Sequence, residues 1–169
     1  MKSLAPLILL LAAATNTLAR DVYQSPSDFI SEVFANNPPK ASLMWLNRAM
    51  KQELTEILGH RPNALRVRYW KKKLKTVWIL DEIGKEHPIT TGIIVDQGKI
   101  QAIKVLIYRE SRGYEVRHPF FTEQFNGARL QEDAQLDRSI DGISGATLSV
   151  RALKKMARMA LYLDKHSNP

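Results

Sequence analysis

The chain has 169 residues, of which 44% are hydrophobic and 25% are charged, a globular composition that excludes disordered, collagen-like and repeat-array proteins. It contains no cysteine, which excludes disulfide scaffolds, thiolate metal sites and cysteine nucleophiles. The formal net charge of +8 favours an anionic partner such as nucleic acid, acidic lipid, acidic protein or phosphate.

The first 19 residues have the order of a secretory signal peptide. Met1-Lys2 is a positive start, an apolar run follows from Leu4 to Ala14, and a short segment of small and polar residues ends at Ala19. We expect cleavage after Ala19 and export to the periplasm, which disfavours nucleic acid as a partner. The alternative is an uncleaved N-terminal membrane anchor, although the apolar run is shorter than the ~20 residues that span a bilayer.

Two helices are predicted in residues 20–62, which form an N-terminal helical segment. Ser25-Pro26 can begin the first helix, and the sequence from Asn36 to Pro39 ends it. The second helix is expected from Ser42 to Gly59, because apolar residues recur there at helical spacing and Gly59 is a suitable C-cap.

From residue 63 onward the hydrophobic pattern changes to that of strands. Asp96-Gln97-Gly98-Lys99 predicts a hairpin turn, and no crossover helix fits between the strands, so we expect an antiparallel sheet. A short helix near residues 119–125 and a long C-terminal helix near 145–163 complete an α+β fold. The predicted strands lie near residues 65–69, 77–80, 91–95 and 100–108.

A basic cluster lies between residues 61 and 75, with aromatic residues interleaved. Such a cluster can bind nucleic acid or anionic lipid, but Lys71-Lys72-Lys73 is more simply explained as a solvated hairpin turn. A docking surface for an acidic redox partner is a third interpretation. The four histidines lack metal-ligand spacing, so no metal site is expected.

The stretch from Asp141 to Thr147 is the most unusual in the chain. Ser144 is expected to cap the final helix, which would place Thr147 near the third helical position among unpaired backbone N–H groups. A phosphate on Thr147 would there lie at the positive end of the helix dipole, with Arg151 one turn further on. By themselves, these residues are more typical of a capped helix without a ligand, because small residues are common at helix starts.

Asp141-Gly142-Ile143-Ser144-Gly145-Ala146-Thr147 resembles the flavinylation motif Asp-x-x-Ser/Thr-Gly-Ala-Thr of the FMN-binding domain family. That family includes the FMN-carrying subunits of sodium-translocating NADH:quinone reductase and of the Rnf complex. Residues 92–100 and 105–113 are similar to the family's hairpin and the acidic loop after it, although this loop lacks the family's proline and second glycine. The resemblance covers about residues 91–163 and defines an expected domain over residues 63–169.

The resemblance implies that Thr147 receives FMN through a phosphoester, installed by a flavin transferase that splits FAD. Asp141 is expected to serve the transferase rather than electron transfer. Three aromatic residues, Trp78, Tyr108 and Tyr114, could stack on the flavin but are more simply explained as packing residues. The other residues expected around the cofactor are Ser144, Gly145, Ala146, Leu148, Glu110, Ser111, Gly113 and Arg151.

The implied function is electron transfer between a membrane donor and an extracytoplasmic acceptor, by a carrier rather than a self-sufficient enzyme. The sequence shows no general base, nucleophile or second-substrate pocket, so no catalytic residue is predicted. The alternatives are a basic module without flavin that docks an acidic partner, and an FMN-dependent reductase with its own small substrate.

Both the signal peptide and the covalent flavin would change the mass of the exported protein. When the full chain is expressed with a flavin transferase, we expect an intact mass equal to residues 20–169 plus one FMN ester. An exported product that retains residues 1–19 would contradict the cleavage, and a mass without the ester would contradict the attachment.

Overall fold

The computed structural model of the protein describes residues 21–167, so the expected signal peptide and its cleavage site lie outside the described residues. Its strands are β1 (Asp21–Val22), β2 (Ser42–Trp45), β3 (Arg66–Lys72), β4 (Lys75–Ile83), β5 (Pro88–Asp96) and β6 (Lys99–Tyr108). They form one antiparallel sheet in the order β1-β6-β5-β4-β3-β2.

The helices are α1 (Pro26–Val33), α2 (Arg48–Leu58), α3 (Pro119–Thr122) and α4 (Thr147–His166), with short 3₁₀ turns at Tyr114–Arg117 and Glu123–Phe125. This arrangement confirms the predicted α+β fold, with an antiparallel sheet, an N-terminal helical pair and a long C-terminal helix. Among residues 21–167, no helix is both long enough and apolar enough to cross a membrane.

Two apolar layers enclose the sheet, because successive residues of a strand point to opposite faces. On one face, Leu153 and Met156 of α4 are fully buried in a cluster that also contains Leu54 of α2 and Trp78 of β4. On the other face, Phe29 of α1 belongs to a smaller buried cluster that includes residues of β4, β5 and β6. The helix that begins at the last residue of the sequence motif is therefore held by the main core.

The predicted helix from Ser42 to Gly59 is wrong at its start. Residues 42–45 form β2, a short edge strand paired with β3, and Asn47 caps α2 by accepting a hydrogen bond from the backbone N–H of Met50 at 2.9 Å. The apolar residues before Asn47 fit either a helix or an alternating strand, and pairing with β3 selects the strand. The N-terminal segment thus contributes strands as well as helices to the fold.

Both predicted hairpin turns form. Gln97 and Gly98 have positive φ angles of 54° and 69° between β5 and β6. Lys72 and Lys73 are exposed around the β3–β4 turn, which confirms its solvated character. Lys71 differs, because its Nζ donates a hydrogen bond to the backbone carbonyl of Ser167 at 2.6 Å, just after α4. This bond places the β3–β4 turn near the C-terminal end of α4.

Truncation of the core under α4 provides a test of this packing. We expect Leu153→Ala to lower the free energy of unfolding by about 2–5 kcal/mol, because it leaves a cavity at a fully buried position. Urea denaturation measures the change. Leu74→Ala is the matched control, since Leu74 is 64% exposed, and a similar loss in both variants would contradict the role assigned to α4.

Candidate functional site

The loop before α4 turns at Gly145, whose φ angle is +83°, a conformation that favours glycine. α4 then begins at Thr147, and Ala146 is its N-cap residue. The expected cap at Ser144 is therefore wrong, and Thr147 is the first helical residue rather than the third. Among the described residues no side chain caps this end of α4, so its first backbone N–H groups are available to an anion.

Thr147 is exposed and borders a cavity of about 590 Å³. The cavity lies where the start of α4 meets the loop after β6 and the β4–β5 turn. Of the residues predicted around the cofactor, six line it: Glu110, Ser111, Gly145, Ala146, Thr147 and Leu148. The structure therefore brings together the two sequence segments that resemble the family.

Three further residues line the cavity without having been predicted, namely Lys85, Arg112 and Ser149. Lys85 belongs to the β4–β5 turn, and no spacing or pattern in the sequence connects that turn with the motif. Its Nζ lies 3.1 Å from Glu86 Oε1 in an exposed ion pair. Lys85 and Arg112 add positive charge to a cavity whose only carboxylate, among the described residues, is that of Glu110.

The Glu110 carboxylate fastens the β4–β5 turn to the loop after β6. Its Oε1 accepts hydrogen bonds from the backbone N–H groups of Lys85, Glu86 and His87. Partial burial acts to raise the pKa of the Glu110 carboxyl, but the three N–H donors outweigh it and hold the pKa below its ordinary value. The hydrogen bonds of this oxygen therefore fix the position of the turn that forms one wall of the cavity.

A second polar link ties the loop after β6 to the first turn of α4. The buried hydroxyl of Tyr108 donates to the backbone carbonyl of Arg112 and lies 2.8 Å from the Ser149 hydroxyl. Gly113 passes so close that a Cβ atom there would lie 2.8 Å from Ser149 Oγ, and its φ angle is +85°. Gly113 is thus needed for close packing beside the cavity and does not line it.

The three aromatic residues considered for flavin stacking do not line this cavity. Trp78 is fully buried, stacks on Tyr69 at a centroid distance of 4.8 Å and donates to the Thr76 hydroxyl at 2.9 Å. Tyr108 is also buried. Tyr114 is half exposed and packs against the Arg117 guanidinium. All three have structural contacts, as the simpler interpretation predicted.

Ser144 and Asp141 are exposed and do not line this cavity. Arg151 lies instead beside a second cavity, of about 300 Å³, which Thr147 also borders. Thr147 therefore stands between two cavities. The second is lined by Gln135, Leu136, Arg138, Thr147, Val150, Arg151, Lys154 and Arg158.

A comparison with protein families matches residues 84–162 to the FMN-binding domain. These residues belong to the FMN-binding domain family. The matched region begins in the β4–β5 turn and contains the Glu110 loop and Asp141–Thr147, so it spans the whole cavity. No curated protein matches the chain.

The residues of the FMN-binding domain fit an FMN group at this cavity. The uncapped start of α4 and the cations of Lys85 and Arg112 suit a phosphate. The volume of about 590 Å³ is within the range of small-molecule sites. Ala146 and Leu148 supply apolar side chains to the cavity lining, and Ser111 supplies a hydroxyl.

The lowered pKa of the hydrogen-bonded Glu110 carboxyl leads us to expect that the stability of the protein depends on pH. A carboxyl whose pKa is lowered by folding stabilises the folded protein above its unfolded pKa, and this contribution is lost as the pH falls through the folded pKa. We expect Glu110→Gln to be less stable than the wild type at neutral pH, with the difference shrinking below about pH 4. Urea midpoints measured across this range provide the test.

Glu123→Gln is the matched control for this effect, because Glu123 is exposed and its carboxylate makes no hydrogen bond or ion pair among residues 21–167. We expect its stability to follow that of the wild type at every pH. A Glu110→Gln difference that stays constant with pH would contradict the role assigned to the ionised carboxylate.

Proposed function

We propose that this FMN-binding domain carries FMN as a phosphoester of Thr147 and acts in electron transfer. One observation supports this above the others: the exposed threonine that ends the family motif is the first residue of α4, at an uncapped helix start beside a cavity. In this position a phosphate bonded to Oγ1 would remain next to free backbone N–H groups.

The surrounding residues have separate tasks in this proposal. Lys85 and Arg112 compensate the charge of the phosphate and of a reduced, anionic flavin. Glu110 holds the β4–β5 turn in place, because its Oε1 accepts three backbone hydrogen bonds. These donors compensate the negative charge of Oε1, so that it repels a bound anion less. FMN itself supplies one- and two-electron chemistry when bound, and the protein supplies position and electrostatics.

The family resemblance implies that a separate flavin transferase, which splits FAD, attaches the FMN, and we propose that this enzyme binds the surface around Thr147. The cavity lining is consistent with this, because it contains no histidine within the described residues and Oε1 of its one carboxylate already accepts three hydrogen bonds. The Thr147 oxygen would form the new bond to the FMN phosphorus, the bond to AMP would break, and the hydroxyl proton would pass to the transferase.

The same lining supports a carrier over a reductase with its own small substrate. A reductase needs groups that orient a substrate and move a proton, whereas the polar groups here hold loops together or compensate charge. We propose that electrons pass from a membrane donor to an extracytoplasmic acceptor. Export to the periplasm rests on the sequence pattern of residues 1–19, and a covalent bond would prevent loss of FMN after export.

Replacement of Thr147 tests the attachment. The wild-type protein, produced together with a flavin transferase, is expected to give a flavin-fluorescent band on a denaturing gel. Thr147→Val, which keeps the shape but removes the oxygen, is expected to lose all of this fluorescence, whereas Thr147→Ser keeps an oxygen and should retain some of it. Intact mass gives a second measurement of the same ester.

Ser111→Ala is the matched control, because Ser111 is another exposed hydroxyl of the same cavity. It is expected to keep the fluorescent band. If fluorescence survived in Thr147→Val but disappeared in Ser111→Ala, the flavin would be attached to Ser111 in the loop after β6 instead. A wild-type protein without any fluorescent band would overturn the proposal of a covalent flavin.

A further inference from the structure

The second cavity beside Thr147, here called the cationic cavity, has an unusual concentration of positive charge. Four of its eight lining residues are Arg138, Arg151, Lys154 and Arg158, and no carboxylate lines it within the described part of the chain. The start of α4 adds the positive end of a helix dipole at Thr147. Three of the four, Arg151, Lys154 and Arg158, have no carboxylate partner among the described residues, and such a set around one depression favours a ligand with several negative charges.

Two of these cations are held in place by the fold. Arg158 donates to the backbone carbonyl of Ile57 at 2.8 Å and to Gln135 Oε1 at 3.2 Å. Arg138 donates to the backbone carbonyl of Asn126 at 2.7 Å and also forms an ion pair with Asp137, whose Oδ1 lies 3.3 Å from its Nε. The acceptors of Arg158 are neutral, so they position its guanidinium group without cancelling its charge, whereas Asp137 partly compensates the charge of Arg138.

The other two cations are available. The side chains of Arg151 and Lys154 form neither a hydrogen bond nor an ion pair with any residue between 21 and 167. The neighbouring Lys155 behaves differently, because its Nζ lies 3.0 Å from the buried carboxylate of Glu82. In the first half of α4, the unpaired cations therefore lie on the side that borders the cavity.

The spacing of the cations indicates the size of the partner. Thr147, Arg151, Lys154 and Arg158 recur every three or four residues along α4, so they follow one side of the helix. From the first to the last, this row is about 16 Å long. A row of that length, with Arg151 exposed at its centre, suits a protein surface with several carboxylates better than a single small anion.

We propose that the cationic cavity is the docking site for an acidic protein redox partner, which places that partner beside the flavin attachment. The electron-transfer part of this inference rests on the proposed function, whereas the binding part concerns charge alone. The exposed Lys72 and Lys73 give a contrasting site. They lie near the far end of the 20-residue α4, about 30 Å from Thr147.

The electron-transfer part of the proposal is tested with two oxidants whose charges are equal in magnitude and opposite in sign. Flavin-loaded protein is reduced anaerobically and mixed in a stopped-flow instrument with ferricyanide or with hexaammineruthenium(III), each ion taking one electron from the flavin. In Arg151→Glu/Lys154→Glu, we expect the rate constant to fall about tenfold with ferricyanide and to rise with the ruthenium complex. Rates are expressed per flavin-loaded molecule, so incomplete loading does not affect them.

A labelled hexaglutamate peptide tests the binding part, as a probe with several carboxylates along one chain. Fluorescence anisotropy is measured with flavin-free Thr147→Val protein at low salt, with and without the Arg151→Glu/Lys154→Glu changes. We expect those changes to weaken peptide binding about tenfold and to reduce its salt dependence. This measurement needs no flavin, so a failure of the attachment proposal does not affect it.

Lys72→Glu/Lys73→Glu is the matched control in both measurements, since it makes the same change in net charge at the far end of α4. Equal effects of the two double variants would overturn the proposal, because net charge would then explain them. The proposal would also be overturned if the Arg151→Glu/Lys154→Glu variant reacted more slowly with ferricyanide but still bound the peptide normally. In that case the cavity would attract small anions only. Thermal melts of both variants confirm that they are folded.

Discussion

The packing of α4 across one face of the sheet is the constraint on which the rest of the molecule depends. Leu153 and Met156 are fully buried beneath this helix, together with residues from α2 and five strands. Because a helix held along its length cannot slide or rotate freely, its first residue is fixed relative to the sheet. Thr147 therefore occupies a defined place beside the ends of β4 and β6, although the loop before it is exposed.

Polar links then adjust the loops around that fixed point. The carboxylate of Glu110 engages three backbone N–H groups of the β4–β5 turn, and the Tyr108 hydroxyl joins the loop after β6 to Ser149 of α4. Each link connects segments that are far apart in sequence but adjacent at one end of the sheet. The cavity wall is thus stabilised by these hydrogen bonds, and the Arg112 side chain, which has no partner among the described residues, remains for a ligand.

The features that could be predicted from sequence are those encoded locally. Strand alternation, the turn at Gly98 and the motif that ends at Thr147 each lie within a few neighbouring residues. The strand at 42–45 could not be predicted, because Leu43 and Leu46 suit a helical spacing and only pairing with β3 selects a strand. The wrong cap at Ser144 has a similar cause, since its suitability as a cap says nothing about the positive φ of Gly145.

The site residues that could not be predicted from the sequence are those that the tertiary structure brings to the cavities. Lys85 reaches the cavity through strand pairing between β4 and β5, and Arg138 borders the cationic cavity because its guanidinium donates to the carbonyl of Asn126. Neither residue has a spacing that relates it to the motif. A sequence can identify the reactive hydroxyl by its pattern, whereas the charges that surround it depend on the folded path of the chain.

The orientation of α4 also divides the molecule into a reactive end and an end that can be modified freely. The turns at Lys73 and Gly98 lie at the end of the sheet opposite Thr147, about 30 Å away along the helix. Because the chain has no cysteine, a single cysteine introduced at Gln97 would be its one reactive thiol. The protein could then be coupled in a uniform orientation to a gold electrode or a dye, with both cavities facing the solution.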